Sequence, residues 1–244
     1  MAGQQVRRIG PQLEAGLIVS TVQALGRRIS ERFPGSGLGK LATELQRIAE
    51  ATTQQLRWVA KPNVPIRVAS GAVIALFLVL ILGLATRVEL RTGETTVSEL
   101  LQASEAAVND VILLGAALYF LIGVEARVKR GRALRFLREL RALAHIVDMH
   151  QLTKDPAAMV HVGTDTPSSP RRTLTRYELI RYLDYCSEML SLNSKLAALY
   201  AQNFDDPVVL EAVDQVEALT TALSGKIWQK IVILTGNSPA GAAS

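Results

Sequence analysis

Along most of this chain apolar residues recur at helical spacing, but in two stretches the polar positions drop out. Val68 to Thr86 runs 19 residues without a charge, enough at about 1.5 Å per residue to cross a hydrocarbon core of roughly 30 Å. The second stretch, Ala106 to Val124, is less uniform. Its uninterrupted apolar run is Val111 to Val124, and it spans only with Asn109 and Asp110 at the outer interface. The two predict a membrane hairpin over 66–126, with spans 68–86 and 106–124 and an extracytoplasmic loop over 87–105.

The rest reads as helix throughout, with no convincing period-two strand. Gln12 to Phe33 is a first amphipathic segment, stopped by Pro34-Gly35-Ser36-Gly37, and Leu38 to Ala60 a second. They make an N-terminal cytoplasmic region over 1–65, leading through Pro62 and Pro65 to the first span. After the second span no proline intervenes before Pro156, so a juxtamembrane basic helix is expected over 127–150, bent at Gly131. Its apolar seam is Ala133, Leu137, Leu140, Ala144 and Val147, spaced alternately four and three. Residues 151–173, rich in Pro, Ser and Thr, read as a flexible linker.

A C-terminal helical hairpin is expected over 174–236, followed by a disordered tail over 237–244. Thr175 and Glu178 stand at capping-box spacing, and Asp206 precedes Pro207 as cap and first helical residue. The seams are Leu179, Leu183, Cys186, Leu190, Asn193, Ala197 and Tyr200, then Val209, Val213, Val216, Thr220, Leu223, Ile227 and Leu234. The short Gln202–Asp206 connection makes the two helices antiparallel. Asn193 reads as a device that fixes register, and Tyr182 and Tyr185 as seam covers with their hydroxyls in solvent. The fold class is thus all-α: a two-span transmembrane helical hairpin with a cytoplasmic helical bundle or antiparallel coiled-coil hairpin.

The charge of +5, from 27 Lys and Arg against 22 Asp and Glu, takes its meaning from where it falls. Arg127, Lys129, Arg130, Arg132, Arg135, Arg138 and Arg141 follow the second span, where they meet lipid headgroups; no nucleic-acid partner is expected. Arg47, Arg57, Lys61 and Arg67 precede the first span, against Arg87 and Arg91 in the loop. The positive-inside rule therefore predicts a multi-pass protein of the inner (plasma) membrane with both termini cytoplasmic. The single cysteine, Cys186, cannot form an internal disulfide.

Candidate chemistry is sparse. His145, Asp148 and His150 bring imidazole, carboxylate and imidazole near a helix end, a set that could hold a divalent transition metal; helix-end packing is the competing reading. No other cofactor is expected. At the membrane interfaces Arg67 faces Glu125 and Arg87 faces Asp110 as candidate ion pairs, while Asn109 and Asp110 could line a pore mouth. Gly35 to Lys40 lacks the strand and the Ser or Thr of a phosphate-binding loop.

These features predict a non-enzymatic integral membrane protein, a helical scaffold or adapter that forms a homo-oligomer or recruits a helical protein partner. One alternative is an oligomeric channel, since in architecture alone the chain resembles small bacterial two-span proteins, some of which are pore-forming effectors. The other is a metal-dependent enzyme at the cytoplasmic face.

Overall fold

The structure, a computed structural model, describes residues 12–60, 64–89, 97–154, 156, 167–169 and 173–236, and among them there is no strand. The helices are α1 (Ala15–Arg32), α2 (Gly37–Ala60), α3 (Val64–Glu89), α4 (Val97–Ile122), α5 (Val124–Leu152), α6 (Arg176–Asn203) and α7 (Pro207–Gly236). The protein is all-α. It divides into two compact units, one of Met1–Ala60 with Arg132–Ser244 and the other of Lys61–Gly131. The N-terminal sequence, most of the linker over 151–173 and the tail over 237–244 lie outside the described residues.

In the first unit the seams read from the sequence close on one another. Every seam residue of α5, α6 and α7 named above is buried. α6 is buried around most of its circumference, and α1, α2 and α7 each pack against it. α1 contributes Ile18, Val22, Leu25 and Ile29, and α2 contributes Leu38, Leu45 and Ile48, to the same core. The N-terminal and C-terminal parts of the chain therefore share one hydrophobic interior.

Local chemistry sets the helix ends. α1 stops at Phe33, whose amide donates to the Ile29 carbonyl at 2.8 Å. Gly35 turns the chain in the left-handed region, at φ 70°, which only glycine adopts without cost. Ser36 then caps α2, its Oγ accepting from the Gly39 amide at 3.1 Å. On α6 the capping box forms as its spacing predicts: the Glu178 amide donates to Thr175 Oγ1 at 3.2 Å and the Thr175 amide to Glu178 Oε2 at 2.7 Å. Asp206 Oδ1 accepts from the amides of Val208 and Val209 at 3.1 and 3.2 Å. Thr175→Ala frees the Glu178 amide and should lower stability by about 1 kcal/mol, read as a fall in the thermal midpoint of the solubilised protein.

In the second unit α3 and α4 contact each other. By length and composition, one helix among the described residues can cross a membrane. It is the run Val111–Leu152, whose apolar window has a mean hydropathy of 1.9 and no buried residue. Val68–Val79 is a shorter apolar stretch within α3. Most side chains of α3 past Val79 lie outside the described residues.

Two boundaries and the burial of two tyrosines differ from expectation. α4 begins at Val97, inside the stretch read as a loop, because Leu100, Leu101, Ala103, Ala106 and Ala107 favour helix and Gln102 is carried on its surface. The break after the second apolar stretch is at Gly123, not Gly131, which lies within α5. Tyr182 and Tyr185 are buried rather than solvent-facing. Phe33, at the end of α1, meets their ring faces edge-on with centroids 5.6 and 6.2 Å apart.

Candidate functional site

The basic helix after Gly123 is more structured than a plain electrostatic belt. Arg127 folds back so that Nη1 donates to the Phe120 carbonyl at 2.7 Å, with the guanidinium 4.5 Å from the Phe120 ring. It thereby satisfies a carbonyl at the end of α4. The space is left by Gly123, where a Cβ would stand about 3.0 Å from that guanidinium. Lys129 pairs with Glu125 at 2.9 Å in largely covered surroundings. Arg132 lies 3.9 Å over the Trp58 ring, a cation–π contact between the start of the bundle part of α5 and the end of α2. Arg135 is exposed, and Arg130 is half-buried. Further on, Arg138 Nε donates to the Leu134 carbonyl at 3.2 Å and Arg141 reaches Gln215 at 3.2 Å.

Of the candidate interface ion pairs, only the Glu125 side chain is described. The side chains of Arg67, Arg87 and Asp110 lie outside the described residues. Asn109 is exposed on α4, where it lines an open groove with Gln102, Glu105, Val108 and Ile112.

His145, Asp148 and His150 are not brought together. α5 continues to Leu152, so Asp148 and His150, two positions apart, project about 200° from each other around the helix. Asp148 accepts from Gln151 Nε2 at 2.6 Å, and Lys230 Nζ in turn donates to the Gln151 carbonyl at 2.8 Å and to its Oε1 at 2.5 Å. His150 instead covers the start of α2, where a Cβ at Gly37 would collide with the ring. His145 is exposed, and His161 lies outside the described residues. Among the described residues no group of three His, Cys, Asp or Glu is arranged to hold a metal ion.

Where α1 ends beside α6, arginines of α1 join the basic and aromatic residues of α6 in one cluster. Arg28 and Arg181 stand 5.8 and 4.9 Å from the Tyr185 ring, and Arg32 stands 5.4 Å from that of Tyr177. Burial raises the Tyr185 phenol, but hydrogen bonds from Arg181 and Arg32 outweigh it and leave the group below its ordinary pKa. Arg28 also pairs with Glu188 at 2.6 Å. Both partners are partly exposed, so this pair adds little beyond fixing the α1–α6 contact. The tyrosines and Arg181 were visible in the sequence; the α1 arginines that complete the cluster were not, because nothing in a single chain says that α1 docks on α6.

Burial pushes the Cys186 thiol up to about 12, against a weak opposing pull from Lys230 and Lys154. Thiolate is therefore scarce at neutral pH. Cys186 should remain unlabelled by a thiol reagent in the folded protein and react fully once denatured, which a colorimetric thiol assay checks directly.

No family model, curated protein or solved structure matches the chain.

Proposed function

We propose that the protein is a non-enzymatic, two-span protein of the inner membrane whose cytoplasmic helical bundle acts as a scaffold or adapter. The observation that carries this reading is the make-up of the bundle core. α1 and α2 precede the apolar helices and α5 to α7 follow them, yet all five share one interior. Residues 60 and 132 must then lie in one compartment, so the chain between them crosses the membrane an even number of times. A crossing by the helix that includes Val111 therefore calls for another, which α3 can supply. The arginines following the second span favour the cytoplasm for the bundle.

The adapter role rests on a second feature. Lys230 donates to the Gln151 carbonyl and Arg176 to that of Leu234, which gathers the end of α5, the start of α6 and the end of α7 at one end of the bundle. There Ile146, Met149, Leu152, Tyr177, Trp228 and Val232 are all exposed. A helical partner or a second copy would cover such a surface.

Topology is tested with single cysteines, which inert Cys186 does not obscure. Ser98→Cys should label with an impermeant maleimide only from outside the cell, Thr235→Cys only after the inner face is opened, and the protein should resist carbonate extraction. Labelling of both from one side, or release by carbonate, would overturn the reading.

A pore-forming function is the second reading, favoured by the polar face that Gln102, Glu105 and Asn109 present on α4. In lipid such a face calls for polar partners, which copies of α4 would provide. Dye leakage from proteoliposomes, abolished by Glu105→Leu with Asn109→Leu, would support it over the scaffold.

A further inference from the structure

We infer that the end of the bundle from which the chain leaves at residue 60 and returns at residue 132 is a docking face for an anionic phospholipid bilayer, with Leu17 and Val208 at the lipid boundary and Arg57, Arg132 and Arg135 on the headgroups. This rests on the two-span reading and goes beyond it, because it assigns a lipid contact to α1 and α7, which are remote in sequence from either span.

Four contacts bring the helix ends together. The Leu13 amide donates to Gln202 Oε1 at 2.9 Å and Gln202 Nε2 donates to the Leu13 carbonyl at 3.2 Å, joining the start of α1 to the end of α6. α7 begins at Pro207, directly after the turn that ends α6, so Val208 belongs to the same end. Phe136 stacks on Tyr200 with centroids 6.3 Å apart, bringing in the part of α5 just past residue 132. Arg132 over Trp58 adds the end of α2.

On this end Leu17 is 63% exposed and Val208 44%, each in the first turn of its helix. Arg57, Arg132 and Arg135 are exposed on the α2 and α5 side, while Glu14 and Asp205 occupy the α1 and α7 side. The face is therefore divided. Its basic half suits anionic headgroups, and its other half offers two aliphatic side chains that gain by entering the acyl boundary. Arg and Trp both bridge apolar and polar surroundings, which places the Arg132–Trp58 stack at headgroup level. The opposite end lies about 30 Å away along α5, beyond reach of the bilayer.

The test uses full-length protein in nanodiscs of phosphatidylcholine with phosphatidylglycerol, and of phosphatidylcholine alone. Nitroxide labels are placed at Leu17→Cys, Val208→Cys and, at the far end, Met149→Cys. Labels at 17 and 208 should show a several-fold higher ratio of oxygen to nickel-chelate collision than the label at 149, and Arg135→Glu should remove most of the gain produced by phosphatidylglycerol. Equal nickel-chelate access at all three positions in protein that stays in the nanodisc would overturn the docking face alone. Indifference to phosphatidylglycerol in the parent protein would overturn the anionic assignment. Protein that leaves the disc under carbonate would instead bring down the two-span reading.

Discussion

Asn193→Asp should destabilise the bundle by about 3–5 kcal/mol at neutral pH, whereas Asn193→Leu should leave it at least as stable. Asn193 is 1% exposed at the centre of the core. Its Nδ2 donates to the Leu140 carbonyl of α5 at 2.8 Å, and its Oδ1 makes no hydrogen bond within the protein. Aspartate removes the donor and sets a buried carboxylate against a carbonyl oxygen, so both acceptors lose. A loss of that size is a large share of the usual 5–15 kcal/mol of a folded domain. Leucine removes the donor and the unpaired acceptor together and adds apolar contact, leaving only the Leu140 carbonyl, which stays in its helical ladder.

The pH dependence of the aspartate variant carries its own sign. Burial raises the pKa of the new carboxyl, so its penalty is present above the folded pKa and relieved as pH falls, when the neutral acid can donate to Leu140. The parent protein runs the other way. Glu44 is held below its ordinary pKa first by the Arg47 hydrogen bond, and Glu178 by the Thr175 amide. Their contribution is fully present above the unfolded value of about 4.3 and is lost as pH falls through the folded value. Thermal melts of the solubilised protein at neutral and mildly acidic pH should therefore converge for variant and parent; parallel melts would show that position 193 is not buried as described.

The periodic and local parts of this structure were legible in the chain. Four-three spacing picks out the face of a helix that meets other helices, and the seams of α5, α6 and α7 are buried residue for residue. Caps are equally local, and Thr175, Glu178 and Asp206 act where their spacing places them. Periodicity does not say which helix covers a seam. That is why the docking of α1 and α2 on α6, the burial of Tyr182 and Tyr185, and the arginine cluster around Tyr185 were all out of reach. His150 shows the same limit in a candidate site. Its neighbour proved to be Gly37, more than a hundred positions away, which no spacing argument along α5 could find. Polarity misled at 97–105, since Ser98, Glu99 and Gln102 suit an exposed helix surface as well as a loop. Gly123 and Gly131 were indistinguishable until the Arg127 guanidinium was seen against one of them.

The shared core makes the two proposed spans interdependent, and this gives the largest expected effect. Arginine at the centre of a span costs roughly 2.5–3.5 kcal/mol per residue to insert, so Leu113→Arg with Leu114→Arg should keep the helix that includes Val111 out of the bilayer. One crossing then remains, and α5, α6 and α7 are left on the opposite side from α1 and α2. The core loses Ile18, Val22, Leu25, Leu38 and Leu45 at once, and α6 exposes the faces they cover. Such a variant should be degraded in cells, with a carboxyl-terminal reporter active outside. Adding Leu76→Arg with Phe77→Arg in α3 removes the other crossing as well and returns the count to zero. Four arginines should thus restore a folded, protease-resistant bundle that two arginines destroy, although the protein no longer resists carbonate. A two-arginine variant as protease-resistant as the parent, with its reporter still inside, would mean that the helix does not cross, and the even count would have to be met without a hairpin.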